Sequence, residues 1–362
     1  MNTRYLLALL AITAARGAPQ VKTVLPNAKP IPRMQAVPMP YDQVSFQRDE
    51  KEIARFHFGS GLNRPFVFPV IGPSGHMLTR MGHPGDPDTH SHHNSIWIAY
   101  GKVNGIDLWG DRPGSAHGRI IHQRIVDLDD SDSRAGIITQ ADWKSEAGEV
   151  LLHETRETWV YALPKDEWLL IIDLQLDPAV DTVTFDRAGF GPMSVRVAKS
   201  IAVHFGGGRL RNSEGGEGET EIFRKPTRWV DYSGLSAPGI VEGLTLMDHP
   251  MNPAFPSPFH VREDGWMGAM LSTENPTVLA RGHRLHLRYG VYVHDGLPAR
   301  DIVNARWRDF SKLDLHPPFG PPKSKRDCLH GGHRKFNVPH AFATTQACLD
   351  YVNGTSSKAG RR

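Results

Sequence analysis

Six side chains able to move protons or bind a metal crowd the loop that opens the stretch Gly82–Gly110: His83, Asp86, Asp88, His90, His92 and His93. Imidazole changes charge near neutral pH and is also a borderline metal ligand, so two chemistries are open to the cluster. His92 and His93 can exchange protons with a substrate. Alternatively His90 and His92, with a third ligand such as His294, can hold one divalent transition metal. Period-2 geometry puts His90, His92 and Asn94 on one side if the extended conformation begins that early. The plain alternative is a set of solvated loop histidines, because HxHH lacks the spacing of a zinc motif.

Other residues extend both chemistries. His249 and His294 add imidazoles, and Asp248 or Asp295 can ligate a metal or orient a ligand. Without a metal, one histidine serves as general acid and another, or Asp248, as general base. A ring-shaped substrate would then be held by Arg196 and stacked on Trp97 or Trp229. Each residue has a structural alternative. Arg196 can be a buried ion pair with an aspartate and Trp229 a core anchor, while Asp248-His-Pro-Met-Asn252 can be a turn capping its own backbone.

These groups need a scaffold, and the chain supplies strands. The histidine loop empties into an apolar run, Ser95–Tyr100. Further β-rich runs bounded by Gly, Pro, Asn and Asp follow: Arg119–Leu128, Gly136–Trp143, Glu149–Leu163, Trp168–Leu176, Val195–Phe205, Gly239–Met247 and Arg284–His294. With the hairpin signal Val103-Asn-Gly-Ile106 and almost no helical periodicity, they predict an all-β fold, a large antiparallel sandwich. Alternation in Arg284–His294 sends Leu285, Leu287, Tyr289, Val291 and Val293 to one face. Pro298–Leu313 alone reads as a helix, expected to cover a sheet edge or one end of the sandwich.

Residues 1–17 read as a secretory signal, its apolar run being far shorter than the about 20 residues of a membrane span. A periplasmic or secreted location follows. Residues 18–54 read as a proline-rich linker and lead-in, 55–313 as the sandwich, and 314–362 as a basic, flexible extension. Net charge is only +3 from 42 Lys and Arg against 39 Asp and Glu, which gives nucleic-acid binding no support. Cys328 and Cys348 are expected to pair in an oxidising compartment.

Eight ordered segments together carry a family resemblance. They are Arg64-Pro-Phe-Val-Phe-Pro69, Thr89–Trp97, Val103–Trp109, Gly118-Arg-Ile120, Gly191–Arg196, Arg228–Gly234, Asp248–Asn252 and Val293-His-Asp-Gly296. Over roughly 55–307 the chain resembles the PmoA-like bacterial family, itself largely of unknown function. The resemblance implies a galactose-mutarotase-like supersandwich and a carbohydrate setting. It falls on His90, His92, His93, Asn104, Asp107, Arg196, Trp229, Asp231, Tyr232, Gly234, Asp248, His249, Asn252, His294 and Asp295. Asn94 stands where the family more often has arginine. The reading is an exported carbohydrate-active enzyme acting on a saccharide or sugar acid. His92, His93, Arg196, His249 and His294 are its catalytic candidates, and Trp97, Asn104, Trp229, Asp231, Tyr232 and Asn252 its substrate contacts. A non-catalytic glycan-binding module and the metal-dependent oxygenase implied by the family label are the alternatives.

Overall fold

The computed structural model describes residues 30–82, 90, 92–111, 115–315, 325–329 and 344–353. The signal-like segment, His83, Asp86, Asp88 and most of the C-terminal extension lie outside them. In chain order the strands are β1 (Met34–Met39), β2 (Gln43–Arg48), β3 (Lys51–His57), β4 (Phe66–Val70), β5 (Ile96–Ile98), β6 (Arg119–Asp130), β7 (Arg134–Lys144), β8 (Val150–Ala162), β9 (Trp168–Pro178), β10 (Thr182–Phe185), β11 (Pro192–Arg196), β12 (Arg209–Asn212), β13 (Trp229–Ala237), β14 (Ile240–Asp248), β15 (Phe259–Arg262), β16 (Trp266–Met270), β17 (Thr277–Ala280) and β18 (Leu285–Asp295). The first eight-stranded sheet has the order β1-β2-β3-β4-β5-β11-β16-β15 and the second β12-β13-β14-β18-β9-β8-β7-β6, while β10 pairs with β17. All the strand pairings are antiparallel, as the sequence pattern predicts.

One core lies between the two sheets. Phe46, Phe56, Ile96, Ile98, Met193 and Val195 of the first sheet meet Leu170, Ile172, Leu174, Tyr232, Leu244 and the five predicted inward residues of β18. β9 is buried on both faces, which explains its unbroken apolar start Trp-Leu-Leu-Ile-Ile: Leu170 and Ile172 face the core, Leu169 and Ile171 the opposite side. The core also holds an ion pair. Arg156 Nε donates to Glu154 Oε1 at 2.8 Å and Trp143 Nε1 to Glu154 Oε2 at 2.6 Å, both charged side chains being 1% exposed.

The helix Arg300–Lys312 is present, but it covers neither an edge nor an end. Val303, Trp307 and Phe310 fall on one stripe and pack on Trp159, Ile171, Trp229 and Tyr292, on the outer face of the second sheet.

Three expectations need correction. The supposed linker contains β1, β2 and the start of β3. Pro38 is accommodated because β1 is an edge strand, where a missing N–H costs no ladder bond, and Asp49–Glu50 turn the next hairpin with φ of 50° and 65° without the usual glycine. The run Val195–Phe205 leaves the sheet after Arg196 and coils into short helical turns, still burying Val197, Ile201 and Ala202. The extension is structured in part. Lys325–Cys328 and Thr345–Val352 are helical, and Cys328 and Cys348 form a disulfide.

The outermost strand of the second sheet, β6, is irregular. Its register against β7 shifts twice, between His122 and Arg124 and between Ile125 and Asp127.

Candidate functional site

The outer face of the first sheet carries the histidine loop. Alternation sends Ile96, Ile98, Met193, Val195, Val261 and Met267 inward, so their neighbours point out. Register aligns Phe66, Trp97, Ser194, Gly268 and His260 in one row across five strands, and Arg196, Trp266 and Arg262 in the next. Ser95, with φ of 58°, kinks the chain just before β5 and accepts the Arg196 N–H at 2.6 Å on its carbonyl.

The loop is clamped from below. Arg64, 1% exposed, donates to the His92 carbonyl at 3.0 Å, to Asn94 Oδ1 at 3.1 Å and to the Gly110 carbonyl at 3.1 Å. Burial lowers its pKa to about 10, so it remains cationic at neutral pH. Asp107 Oδ1 accepts the backbone N–H groups of Trp109 and Gly110 at 2.8 and 2.9 Å and fixes the turn that carries Trp109.

A nest of rings results. His93 lies 5.2 Å from both Trp97 and Trp266, and 4.8 and 4.7 Å from His90 and His92. His260 packs on Trp266 at 4.1 Å, and Phe190 on Trp109 at 4.5 Å. His93, Trp97 and Trp266 are buried, whereas His92, His260 and Phe190 are half-buried at the rim. Trp97 Nε1, Trp266 Nε1, His93 Nδ1 and Ser194 Oγ are buried without a hydrogen-bond partner.

Burial keeps the imidazoles neutral. It lowers His92 to about 4 despite Asp111, whose Oδ1 is 3.8 Å from His92 Nδ1. His93 is pushed down further, by burial first and then by His92 and Arg196. His260 is also lowered to about 4 by burial, its Nδ1 hydrogen-bonding the Gly189 carbonyl at 2.6 Å. Positive charge sits beside them. Arg196 is fully buried and bonded to Asp264 at 2.7 Å, the ion pair weighed from sequence, while Arg262 shares Asp264 at 2.8 Å and is 38% exposed.

The other predicted site residues lie elsewhere, so the histidines do not form one centre. His294, fully buried on the second sheet, meets Asp231 at 3.1 Å, and Asp231 is held by Arg211 at 2.8 Å and by Ser233. Trp229 is a core anchor donating to Asn304 on the helix at 2.9 Å. Tyr232 crosses the inter-sheet core and hydrogen-bonds the Arg262 carbonyl. Asn104 staples a turn, bonding the backbone of Thr182 and Thr184 at 3.1 and 2.7 Å. Asn252 bonds Asp248 at 2.7 Å and both backbone groups of Arg288, and His249 Nδ1 accepts the Met251 N–H at 3.1 Å. The Asp248–Asn252 motif is therefore a self-capping turn under the helix.

A metal set of His90, His92 and His294 does not fit, because His294 is on the opposite outer face. Among the described residues no three His, Cys, Asp or Glu side chains are arranged to hold a metal ion.

Sequence reasoning missed Arg262, Asp264, Trp266, His260, Phe190 and Asp111 at this face. A usable signal existed: the Asp264-Gly265 turn predicts a hairpin whose pairing places Arg262 opposite Trp266, and His260 two residues back on the same face.

Residues 43–308 match a family of unknown function, DUF6807. The chain belongs to that family. The match brings no support for the oxygenase label attached to the sequence resemblance. No curated protein matches. Solved structures with some likeness include heparan sulfate lyase HepC from Pedobacter heparinus (8% identity, TM-score 0.37, covering 72% of this chain and 36% of that one). Others are a protein described as a mutarotase from Salmonella typhimurium (9%, 0.31, 74% and 95%) and a protein described as a kojibiose phosphorylase from the human microbiome (10%, 0.32, 79% and 37%). The chain thus spans about a third of the lyase's length, and likenesses this distant say nothing about which residues react. No helix among the described residues is long and apolar enough to cross a membrane.

Proposed function

We propose that this DUF6807 member is an exported enzyme acting on a saccharide at the outer face of its first sheet, with His92 as the proton-transfer group. The observation that carries the reading is the convergence of four unsatisfied buried polar atoms, on His93, Trp97, Ser194 and Trp266, beneath a rim of half-buried rings. Folded proteins pair nearly all their buried polar groups with protein or ordered water, so four unpaired groups converging in one place are open to a hydrogen-bonding guest. Sugars match the surface: their CH faces pack on rings such as Phe190 and His260, and their hydroxyls need donors and acceptors such as Arg262, Asp264 and imidazole nitrogens.

His92 is neutral at pH 7 because burial holds its pKa at about 4, and its partial exposure gives a substrate access to the ring. It takes a proton from the sugar, and Asp111 at 3.8 Å stabilises the imidazolium that forms. Arg262, more exposed than Arg196, is the cation for a sugar carboxylate or developing oxyanion.

His92→Ala is the test, read by turnover across a saccharide panel and by binding of the same sugars. Loss of turnover by about 10²–10⁴-fold with binding retained supports the enzyme. Equal loss of binding favours the second reading, a non-catalytic glycan-binding module that uses the same rings. Elemental analysis of untagged protein tests the metal-dependent reading separately: stoichiometric transition metal, lost in His92→Ala, would replace acid/base chemistry with metal-assisted chemistry.

A further inference from the structure

The second sheet's outer face, remote from the histidine loop, carries two cavities that meet at Tyr292 and Arg306. The larger encloses about 390 Å³, inside the roughly 300–1,000 Å³ of small-molecule sites. One wall is the hairpin Pro164–Glu167, the others the end of β18 and the first turns of the helix Arg300–Lys312. Lys165 and Asp166 hold φ of 60° and 58°, a costly conformation for residues other than glycine. Arg48 fixes that hairpin by donating to the Glu167 and Leu163 carbonyls at 3.2 and 3.3 Å and pairing with Asp166 at 3.2 Å. The wall is therefore preformed.

The polar lining has no net sign. Glu167 and Asp295 offer acceptors, Lys165 and Arg306 donors. Tyr292 donates to Glu167 Oε2 at 2.6 Å, and burial together with that carboxylate raises its pKa, so the phenol stays a neutral donor. Arg306 lies over the Tyr292 ring at 5.7 Å and approaches Glu167 and Asp309 at 3.9 Å each, while its Nε is buried without a hydrogen-bond partner. An ion of either sign entering here meets a like charge, whereas a neutral hydroxylated ring uses acceptors and donors together. The rim of Leu297, Pro298 and Ile302 suits the CH face of such a ring.

The smaller cavity, about 170 Å³, is of a different character. Tyr161, Leu163, Leu169, Phe310 and Leu313 make it mainly apolar, and it opens beside the same Arg306 and Tyr292. A ligand filling both spaces is polar at one end and apolar at the other. We propose that this double cavity binds a neutral glycoside, its sugar ring among Glu167, Asp295 and Lys165 and its apolar aglycone among Tyr161, Leu169 and Phe310. The site is independent of His92 and of the reaction proposed above.

Calorimetric titration of the full chain with a panel of phenyl glycosides (gluco, galacto, manno and xylo), each beside its free sugar, tests this. Ile302→Arg fills the larger cavity from an exposed position and Ser133→Trp the smaller, with circular dichroism verifying that both variants fold. At least one phenyl glycoside is expected to bind saturably, about tenfold more tightly than its sugar. Ile302→Arg should weaken it about tenfold, Ser133→Trp should erase its advantage over the free sugar, and His92→Ala should change neither. The proposal is overturned by absence of saturable binding, by binding untouched in both cavity variants, or by binding lost in His92→Ala alone.

Discussion

Asp248 stands opposite the inward-facing Tyr289 at the end of β14, His92 lies on the outer face of the first sheet, and their proton equilibria pull stability in opposite directions. Burial raises Asp248 from 3.8 to about 6, so between those values the folded state holds more protons than the unfolded one, and stability falls as pH rises. The full shift corresponds to about 3 kcal/mol. His92, His249 and His260 are each lowered from 6.5 to about 4, again by burial, so between those values the unfolded state holds more protons and stability rises with pH. Urea midpoints measured from about pH 4 to about pH 7 should therefore climb more steeply with pH in Asp248→Asn than in the parent, and less steeply in His92→Ala. Unchanged slopes in both variants would show that these groups titrate normally. That Asp248 is buried was not visible in its motif. Asp-His-Pro-Met-Asn reads equally well as a solvated turn, and only the helix above it, whose Trp307 donates to the Asp248 carbonyl at 2.9 Å, decides between the two.

Elements explain which parts of the site were legible. The histidine loop and the strand it enters were readable, because an apolar run after a Gly/Pro-broken polar segment has few other solutions. β18 was readable to the residue, since one of its faces is wholly core. The other half of the site was legible only in part: the run Trp266–Leu271 reads as a strand, but its place beside the loop comes from pairing through β11, a non-local event that no local pattern encodes. β1 and β2 were hidden by prolines and by hairpins turned without glycine. Arg64 ties these elements together, reaching from the lead-in to β4 to both arms of the loop system. Replacing it with alanine should destabilise the protein by about 2–4 kcal/mol through the loss of three charge-assisted bonds. Arg64→Lys should not rescue it, since a single ammonium cannot span the three acceptors. Chemical denaturation checks both, and full recovery by lysine would mean that charge alone matters.

Over the whole molecule, the two sheets share a mainly apolar core that also buries the ion pair of Glu154 and Arg156. Truncating one partner leaves a buried charge, so Arg156→Ala should cost about 3–5 kcal/mol, while the double change Glu154→Leu with Arg156→Met should recover most of it. Additive losses in a double-mutant cycle would show that the two groups do not act as a pair. The sheets close on each other incompletely. A Met34–Ser131 bridge and the Asp130 carboxylate, which accepts the Ala36 N–H at 2.6 Å, stitch the start of β1 to the far end of β6. Between there and Ile120, whose N–H bonds the Asn63 carbonyl at 2.9 Å, β6 is a border of backbone donors and acceptors, the kind of edge on which another chain can align and begin an aggregate. Its two register shifts give it a broken outline, and it carries charge of both signs, Arg119 and Arg124 toward its start and Asp127, Asp129 and Asp130 toward its end. A second copy attempting to extend the sheet would lose register at each shift, so the irregularity of this one strand helps the folded protein to resist self-association.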